Sequence, residues 1–230
     1  MEFAKEKLYD FPKNSAGKTL IYLLRHGESE GNLKRICLGH TNLGLTERGR
    51  EQAERTAEAL SELEIDAVYS SDLVRAMDTA EPNARRRGLT VVGVPELREL
   101  YFGDWENKAV DYLNETYGDM YSVGWRQNFG TFVAPRGESI PECAERAELA
   151  LKKIAAAHTG GAIVVTSHAA TIRALWGRIS GKSPEEYASF VPFPSNASFT
   201  LICFDGERLV PLSYSNDKHM GDIGTGLPMK

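Results

Sequence analysis

The chain alternates short, continuous runs of apolar residues with longer stretches in which apolar residues recur every three or four positions. Two of the runs, 19–24 and 162–166, are typical of strands that are buried on both faces of a sheet. The stretches 47–63 and 71–86 carry charges between their apolar positions and predict amphipathic helices. This alternation predicts an α/β fold: a single-domain three-layer sandwich whose mostly parallel sheet has helices on both faces.

Local capping signals predict where two helices begin. Ser139 and Glu142 are spaced as a capping box, so we expect a helix to start at this point. The apolar stripe of that helix consists of Ile140, Ala144, Ala147, Leu151 and Ile154. The helix over 71–86 is expected to be capped by Ser70 or Ser71.

The chain is expected to form one folded domain with a separate amino-terminal segment. Residues 1–17 mix charged residues with Pro12 and Gly17 and have no periodicity, which predicts a flexible arm. The folded domain is expected over 18–230. Within it, the segment 107–136 has only weak periodicity and is predicted to be a partly helical insertion over the active site.

Composition and charge exclude several classes of protein. Of the 230 residues, 42% are hydrophobic and 26% are charged, as in an ordinary globular protein. The net charge of −5 argues against partners that bind by bulk positive charge, so no nucleic-acid and no membrane partner is expected. The three cysteines are too scattered for a disulfide framework. Since no run resembles a leader or a membrane span, a cytoplasmic protein is expected.

Histidines directly follow two of the predicted buried strands. His26 comes two residues after the run 19–24, and His168 comes two residues after the run 162–166. In an open parallel sheet, ligands bind outside the carboxyl ends of the strands. Sheet topology can therefore bring these two imidazoles, far apart in sequence, to one crevice.

The residues around these histidines suit phosphoryl chemistry. Arg25 and Arg75 carry guanidinium groups that match the oxygens of a phosphate monoester and stay charged at any working pH. A neutral imidazole can attack phosphorus to form a phosphohistidine, and Glu99 can supply the proton that the leaving alkoxide needs. Such chemistry needs no metal and no cofactor. Two simpler interpretations stay open: Arg75 could be a solvated charge, and Glu99 could cap a helix or pair with Arg98.

Three blocks of sequence carry a resemblance to a known family. Residues 23–32, Leu-Leu-Arg-His-Gly-Glu-Ser-Glu-Gly-Asn, resemble the signature of the histidine phosphatase superfamily, the phosphoglycerate mutase-like proteins. Residues 70–80 are similar to the second block of that family, and residues 165–168 with 172–175 are similar to its last block. The blocks occur in the family's order, and the resemblance extends from about Thr19 to Leu212.

The resemblance implies a role for each of the matching residues. His26 would be the phosphorylated nucleophile, and Glu99 would be the proton donor. The phosphate pocket and the remaining substrate-binding positions would be formed by Arg25, Arg75, His168, Asn32 and Ala169. The family's fold, chemistry and lack of a metal agree with the expectations from the residues themselves.

The segment after Glu99 distinguishes between branches of this family. Residues 99–106, Glu-Leu-Tyr-Phe-Gly-Asp-Trp-Glu, are similar to the phosphatase branch, which includes broad-specificity and alpha-ribazole phosphatases. The cofactor-dependent mutases instead have a Tyr-Gly-Gly-Leu-Gln-Gly-like segment and paired arginines, which this sequence lacks. It departs from the phosphatase pattern at Asn107, where glycine is usual, and at Ala169 and Ala170, which stand in place of two glycines.

The sequence therefore predicts a metal-independent phosphomonoesterase that hydrolyses a small phosphorylated metabolite through a phosphohistidine at His26. Two alternatives stay open: a cofactor-dependent phosphoglycerate mutase and a noncatalytic phospholigand-binding module. A homodimer is compatible with the sequence. Three other histidines have no motif support and are expected to be surface or hydrogen-bonded structural residues. They are His40, His158 and His219.

Overall fold

The computed structural model describes residues 8–13 and 15–224. The strands are β1 (Thr19–Arg25), β2 (Ile36–Cys37), β3 (Ala67–Ser70), β4 (Val91–Gly93), β5 (Lys108–Ala109), β6 (Ala162–Ser167), β7 (Phe199–Phe204) and β8 (Leu209–Asn216). The α-helices are α1 (Glu30–Leu33), α2 (Glu47–Ala59), α3 (Val74–Arg85), α4 (Val110–Tyr117), α5 (Ile140–Ala156), α6 (Ala169–Ile179) and α7 (Tyr187–Phe190).

Six strands form one sheet in the order β4-β3-β6-β1-β7-β8. The first four are parallel to one another, whereas β7 runs antiparallel to β1 and β8 antiparallel to β7. Every residue of β1 and of β6 is buried, which explains why both strands are continuous apolar runs. The predicted α/β fold with a mostly parallel sheet is confirmed, with an antiparallel hairpin at one edge.

Helices cover both faces of the sheet, because alternate side chains of β1 enter different apolar clusters. Ile21 and Leu23 lie in a cluster with residues of α5 and α6. Tyr22 and Leu24 lie in a second cluster with residues of α3, including Ala80. These two clusters confirm the three-layer arrangement. Over the described residues, no helix combines the length and the apolarity needed to cross a bilayer.

The capping box at Ser139 starts α5 as predicted. The Ser139 hydroxyl accepts a hydrogen bond from the backbone N–H of Glu142, whose carboxylate accepts one from the N–H of Ser139. A side-chain cap of this kind stabilises a helix by about 1 kcal/mol. The predicted apolar stripe of this helix is buried along its whole length.

The predicted cap of α3 is wrong. The helix begins at Val74, later than expected, and neither Ser70 nor Ser71 caps it. The backbone N–H of Val74 instead donates to the Asn42 side chain at 2.8 Å. Ser71 is recruited elsewhere, since its hydroxyl hydrogen-bonds with the His168 ring. The first turn of α3 is thus capped by Asn42, which is distant in sequence, rather than by a neighbouring serine.

A third apolar cluster joins the segment 107–136 to the first turns of α6. Leu113 and Phe129 pack there with Ala170 and Ala174 of that helix. The segment contains α4, a π-helix over Met120–Trp125 and a 3-10 turn, so it is partly helical as expected. Its role as an insertion over the active site stays a prediction.

Two aromatic residues attach part of the predicted arm to the core. The ring centroid of Tyr9 lies 4.9 Å from that of Phe199, and the ring centroid of Phe11 lies 5.7 Å from that of Tyr22. The expectation of a free arm is therefore corrected around these two residues. Residues 1–7 and residue 14 lie outside the described residues, and their flexibility stays a prediction.

His219 anchors this contact and titrates far from its ordinary range. The Tyr9 hydroxyl donates to Nδ1 of His219 at 2.7 Å, and Nε2 lies 3.2 Å from the Thr56 hydroxyl. Burial lowers the pKa of His219 from 6.5 to about 4, opposed by its backbone hydrogen bond to Ala197. Of the three histidines without motif support, this one is hydrogen-bonded and structural, as expected.

A pH dependence of stability follows from this shift. Below pH 6.5 the unfolded chain takes up a proton on His219 that the folded chain accepts only near pH 4. We therefore expect His219 to make the free energy of unfolding fall by about 1.4 kcal/mol per pH unit across this window. Urea titrations between pH 7 and 4.5 measure this. The free energy of unfolding of His219→Gln should fall less steeply with decreasing pH than that of the parent, by this amount per pH unit. Parallel curves for the two proteins would contradict the assignment.

Candidate active site

The pairing of β1 with β6 brings His26 and His168 together. The two strands are parallel neighbours, with Arg25 opposite Ser167, so the residues that follow them leave the sheet at the same edge. The ring centroids of His26 and His168 are 5.1 Å apart. Both side chains are buried at the carboxyl ends of these strands, where ligands bind in an open parallel sheet.

The loop after β1 fixes the orientation of the His26 ring. Nδ1 of His26 donates to the main-chain oxygen of Gly27 at 2.7 Å, which leaves the lone pair of the neutral imidazole on Nε2. The N–H of Gly27 donates to the Thr79 hydroxyl at 3.0 Å. A Cβ on Gly27 would collide with the main-chain oxygen of Gly49, so glycine is required for this close approach to α2. The hydrogen bond to Gly27 thus fixes Nδ1 and leaves Nε2 to face the site.

Electrostatics keep His26 neutral at neutral pH. Burial holds the pKa of His26 well below 6.5, and the positive charges of Arg75 and Arg25 lower it further. Because only the neutral ring has a lone pair on Nε2, these charges keep the imidazole in its nucleophilic form.

A prediction about the protonation state of His26 follows. In phosphate-free buffer at pH 6, nitrogen NMR should show a neutral His26 ring that carries its proton on Nδ1. The resonance can be assigned because it will be missing from the spectrum of His26→Asn. A protonated ring at that pH, or a proton on Nε2, would contradict the geometry.

His168 is a second buried imidazole with a free ring atom. Its Nε2 lies 2.8 Å from the Ser71 hydroxyl, and its Nδ1 is buried without a hydrogen-bond partner among the described residues. Burial, then Arg75 and His26, hold the pKa of His168 well below 6.5. Leaving a buried polar atom unpaired costs about 1–3 kcal/mol, so such an atom points to a group that binds there.

Two buried arginines complete the positive part of the site. Arg25 donates from one terminal nitrogen to the main-chain oxygen of Pro194 at 2.6 Å, and Arg75 donates to the oxygens of Gly39 and Thr41. Both Nε atoms are buried without a partner among the described residues. Burial lowers the pKa of each guanidinium to about 10, partly opposed by Glu99, so both remain charged at neutral pH.

These four side chains form a pocket that suits a tetrahedral oxyanion. Two guanidinium groups and two imidazoles meet there, and three of their buried nitrogens have no partner among the described residues. An anion with several oxygens would satisfy these donors and offset the repulsion between the cations. The alternative of a solvated charge at Arg75 is wrong, because this side chain is only 1% exposed.

Glu99 reaches the site from the turn after β4 and contacts the first turn of α6. Its Oε1 accepts hydrogen bonds from the backbone N–H groups of Leu100 and Thr171 and from the Thr171 hydroxyl, at 2.9 to 3.1 Å. Its Oε2 accepts one from the N–H of Ala170 at 3.2 Å. Glu99 therefore caps a helix, as one of the simpler interpretations held, while facing the cationic groups. Arg98 pairs with Asp72 rather than with Glu99.

Ala169 and Asn32 lie on the helices that follow His168 and His26. Ala169 is the first residue of α6, whose amino terminus directs backbone N–H groups and positive dipole toward the site. The side-chain oxygen of Asn32 completes the capping box of α1 with Ser29. It also accepts a hydrogen bond from Asn196 at 3.3 Å, and Asn196 in turn donates to the main-chain oxygen of His26.

The aromatic residues of the segment 99–106 are mainly structural. Phe102 and Trp105 are buried in the third apolar cluster, and Trp125 packs against it. Tyr101 is 42% exposed and lies beside His40 on the rim of a surface cavity of about 550 Å³. His40, which lines this cavity, donates from Nε2 to the main-chain oxygen of Glu99 at 2.9 Å.

Several contacts that shape the site could not be found from sequence. Ser71, Asn196, Glu106 and Arg146 touch site residues or the loops that hold them. Glu106 had one signal, because it ends the aromatic segment that resembles the phosphatase branch. Arg146 had no sequence signal, because it donates to the main-chain oxygens of residues 96, 98 and 99, and main-chain oxygens are present at every position.

Comparisons with known proteins agree with this geometry. A phosphoglycerate mutase-like protein 4 from Arabidopsis thaliana is 32% identical over 209 residues, which are 89% of this chain and 88% of that protein. A metal-independent phosphoserine phosphatase from Arabidopsis thaliana is 32% identical over 208 residues, covering 90% and 85%. The structure of Bacillus stearothermophilus YhfR superposes with a TM-score of 0.82 at 28% identity, covering 88% of this chain and 99% of that one.

Other relatives in this range of identity are named as phosphatases and as phosphoglycerate mutases. The family model described as histidine phosphatase superfamily (branch 1) matches residues 21–217. This match spans most of the chain and includes the strands and helices that hold His26, Arg75 and His168. The chain therefore belongs to branch 1 of the histidine phosphatase superfamily.

Proposed function

We propose that this protein is a metal-independent phosphomonoesterase that acts through a phosphohistidine at His26. The observation that carries the proposal is the state of His26. Its Nδ1 donates to the Gly27 carbonyl, which leaves Nε2 to face the pocket, and burial with two nearby arginines holds its pKa well below 6.5. The Nε atoms of those arginines are buried without a partner in the part of the chain that the structure describes. A nucleophile and an oxyanion pocket thus occupy the same place.

The first step transfers the phosphoryl group to the enzyme. Nε2 of His26 attacks phosphorus, the bond from phosphorus to the ester oxygen breaks, and its electrons pass to the leaving oxygen. Glu99, in its protonated form, gives that oxygen a proton, so the alcohol leaves neutral. Arg25, Arg75 and His168 stabilise the charge on the three equatorial oxygens.

The second step returns the enzyme to its starting state. A water molecule gives a proton to the Glu99 carboxylate and attacks phosphorus, and the bond from phosphorus to Nε2 breaks. Inorganic phosphate leaves, His26 is neutral again, and Glu99 again holds the proton for the next ester. One carboxyl group thus serves as acid and then as base.

Independence from metals is supported by one relative, and hydrolysis is supported by that relative and by the segment 99–106. A relative named as a metal-independent phosphoserine phosphatase matches most of the chain. The segment 99–106 follows the phosphatase branch pattern through Trp105 and Glu106. We propose a small phosphorylated metabolite as the substrate, because the nucleophile is only 4% exposed and a bulky ester would not reach it without displacing the surrounding loops.

A chemical-quench experiment tests the proposal. The protein, in EDTA, is mixed with an aryl phosphate labelled on phosphorus and quenched at successive times. We expect release of free phosphate and a protein-bound label that is lost in acid. Turnover without bound label would contradict the phosphohistidine, loss of activity in EDTA would contradict metal independence, and binding without turnover would indicate a noncatalytic phospholigand-binding module.

A mutase is the second candidate, because relatives named as phosphoglycerate mutases match at similar identity. Both activities share the phosphoenzyme and differ in the acceptor, which is water in one and the bound substrate in the other. Adding bisphosphoglycerate with a monophosphoglycerate distinguishes them. A phosphatase should release phosphate, whereas fast interconversion of the two monophosphoglycerates with little free phosphate would favour the mutase.

A further inference from the structure

Glu106 has a contact pattern that the reaction above does not use. Its two carboxylate oxygens accept hydrogen bonds from the N–H of His40 at 2.9 and 3.0 Å and from the N–H of Thr41 at 3.0 Å. They also accept from the Thr41 hydroxyl at 3.2 Å and from the N–H of Phe102 at 3.1 Å. Every one of these partners is a donor, so both oxygens are engaged as acceptors.

The loop that Glu106 holds is the same loop that holds Arg75. The guanidinium of Arg75 donates to the main-chain oxygen of Gly39 at 2.7 Å and to that of Thr41 at 2.8 Å. The N–H groups of this loop therefore point to Glu106, while its carbonyl oxygens point to Arg75. Gly39 has a φ of 48°, and a Cβ there would collide with Oε1 of Glu106, so the loop closes tightly around the carboxylate.

This arrangement keeps the charge of Arg75 available. Carbonyl oxygens fix the direction of a guanidinium without neutralising it, whereas a carboxylate in direct contact would compete with an anionic substrate. Glu106 acts one step away, through the backbone of residues 39–41. The same loop also touches the proposed acid, because Nε2 of His40 donates to the main-chain oxygen of Glu99 at 2.9 Å.

We propose that Glu106 is a positioning residue that aims the Arg75 guanidinium at the phosphoryl group by shaping the loop 39–41. The proposal rests on the proposed function, since it assumes that Arg75 binds the transferred group. In this proposal Glu106 positions Arg75, and proton transfer is assigned to Glu99.

Glu106→Gln tests this with almost no change in shape. A carboxamide has one acceptor oxygen, and its NH₂ group would face N–H groups that also donate. The loop must shift to relieve this conflict, and Arg75 shifts with it. We expect the KM for an aryl phosphate and the Ki for inorganic phosphate each to rise about tenfold, with a smaller fall in kcat. Glu115→Gln, which removes the charge of an exposed carboxylate nine residues later in α4, should change neither the KM nor the Ki.

A double-mutant cycle with Arg75→Ala separates positioning from a general structural effect. If Glu106 acts through Arg75, then adding Glu106→Gln to Arg75→Ala should raise the KM by less than about twofold. A full tenfold increase in that background, or no effect of Glu106→Gln on its own, would overturn the inference. No effect of Arg75→Ala would instead contradict the proposed function.

Thr41→Val supplies a second, milder variant in case Glu106→Gln does not fold. It keeps the shape of the side chain and removes only the hydroxyl donor to Glu106. We expect the KM to rise about twofold to threefold, with an unchanged melting temperature, and the rise to vanish in the Arg75→Ala background. An equal rise in both backgrounds would again overturn the inference.

Discussion

Replacing His26 by alanine should lower kcat for an aryl phosphate by at least about 10⁴-fold, because the variant lacks the ring nitrogen that the backbone hydrogen bond of His26 directs into the pocket. We expect His168 not to substitute, because its free Nδ1 is assigned to the phosphoryl oxygens while its Nε2 lies 2.8 Å from the Ser71 hydroxyl. Inorganic phosphate should still bind within about threefold of its original affinity, because Arg25 and Arg75 remain. Steady-state kinetics and product inhibition measure the two effects.

The His26→Ala experiment has a matched control in His158→Ala. His158 contacts the Tyr69 side chain and has no contact with the pocket among the described residues. Its replacement should leave kcat within about twofold. Activity of His26→Ala within tenfold of the parent would exclude the phosphohistidine. A parallel loss of phosphate binding would mean that His26 shapes the pocket rather than reacting in it.

The core of the site was predictable because it follows from sheet topology. A continuous apolar run predicts a strand buried on both faces, and polar residues must begin where that strand leaves the sheet. His26 and His168 stand at these points after β1 and β6, and the two strands are neighbours. Two local patterns were therefore enough to predict a contact between residues far apart in the chain.

The supporting contacts were not predictable, because they join backbone groups across loops. The donors to Glu106 from His40 and Thr41 lie about 65 residues before it in the chain and have no compositional signal. The predicted cap of α3 was wrong for a related reason. Ser71 is a suitable residue for a helix cap, but its hydroxyl hydrogen-bonds with His168 instead. Sequence shows which residues can hydrogen-bond, and the fold decides which partner each one meets.

Prediction from the sequence pattern was also limited in the segment 107–136 and in the residues before β1. A π-helix over Met120–Trp125 breaks the usual helical repeat, so the apolar positions there do not recur at a recognisable spacing. Before β1, the charged composition suggested a free arm, although Tyr9 and Phe11 pack on the core. Two aromatic side chains are enough to attach a segment that otherwise resembles a solvated tail.

Replacing Glu99 by glutamine should separate its two roles, capping α6 and donating a proton. Oε1 accepts three hydrogen bonds and Oε2 accepts one, so a proton held by Glu99 would sit on Oε2. A glutamine can keep its oxygen at the position of Oε1 and lose only the bond from Ala170. We therefore expect a loss of stability of about 1 kcal/mol, measurable by urea unfolding.

The activity of Glu99→Gln should depend on the leaving group. An alkyl alkoxide must be protonated as it leaves, so kcat/KM for an alkyl phosphate should fall by about 10²- to 10⁴-fold. A nitrophenolate leaves as a stable anion, and kcat/KM for its ester should fall by less than about tenfold. The ratio kcat/KM is the appropriate measure, because it excludes the later hydrolysis of the phosphoenzyme, in which Glu99 acts as a base.

The comparison of the two esters distinguishes acid catalysis from capping alone. If Glu99 only caps α6, its replacement displaces the amino terminus of that helix and should slow both esters by the same factor. Glu96→Gln, on the exposed turn three residues earlier, should affect neither ester and so controls for the loss of a negative charge nearby. An equal loss for both substrates would therefore assign Glu99 to the structure of the pocket, and the proton would have to come from another group.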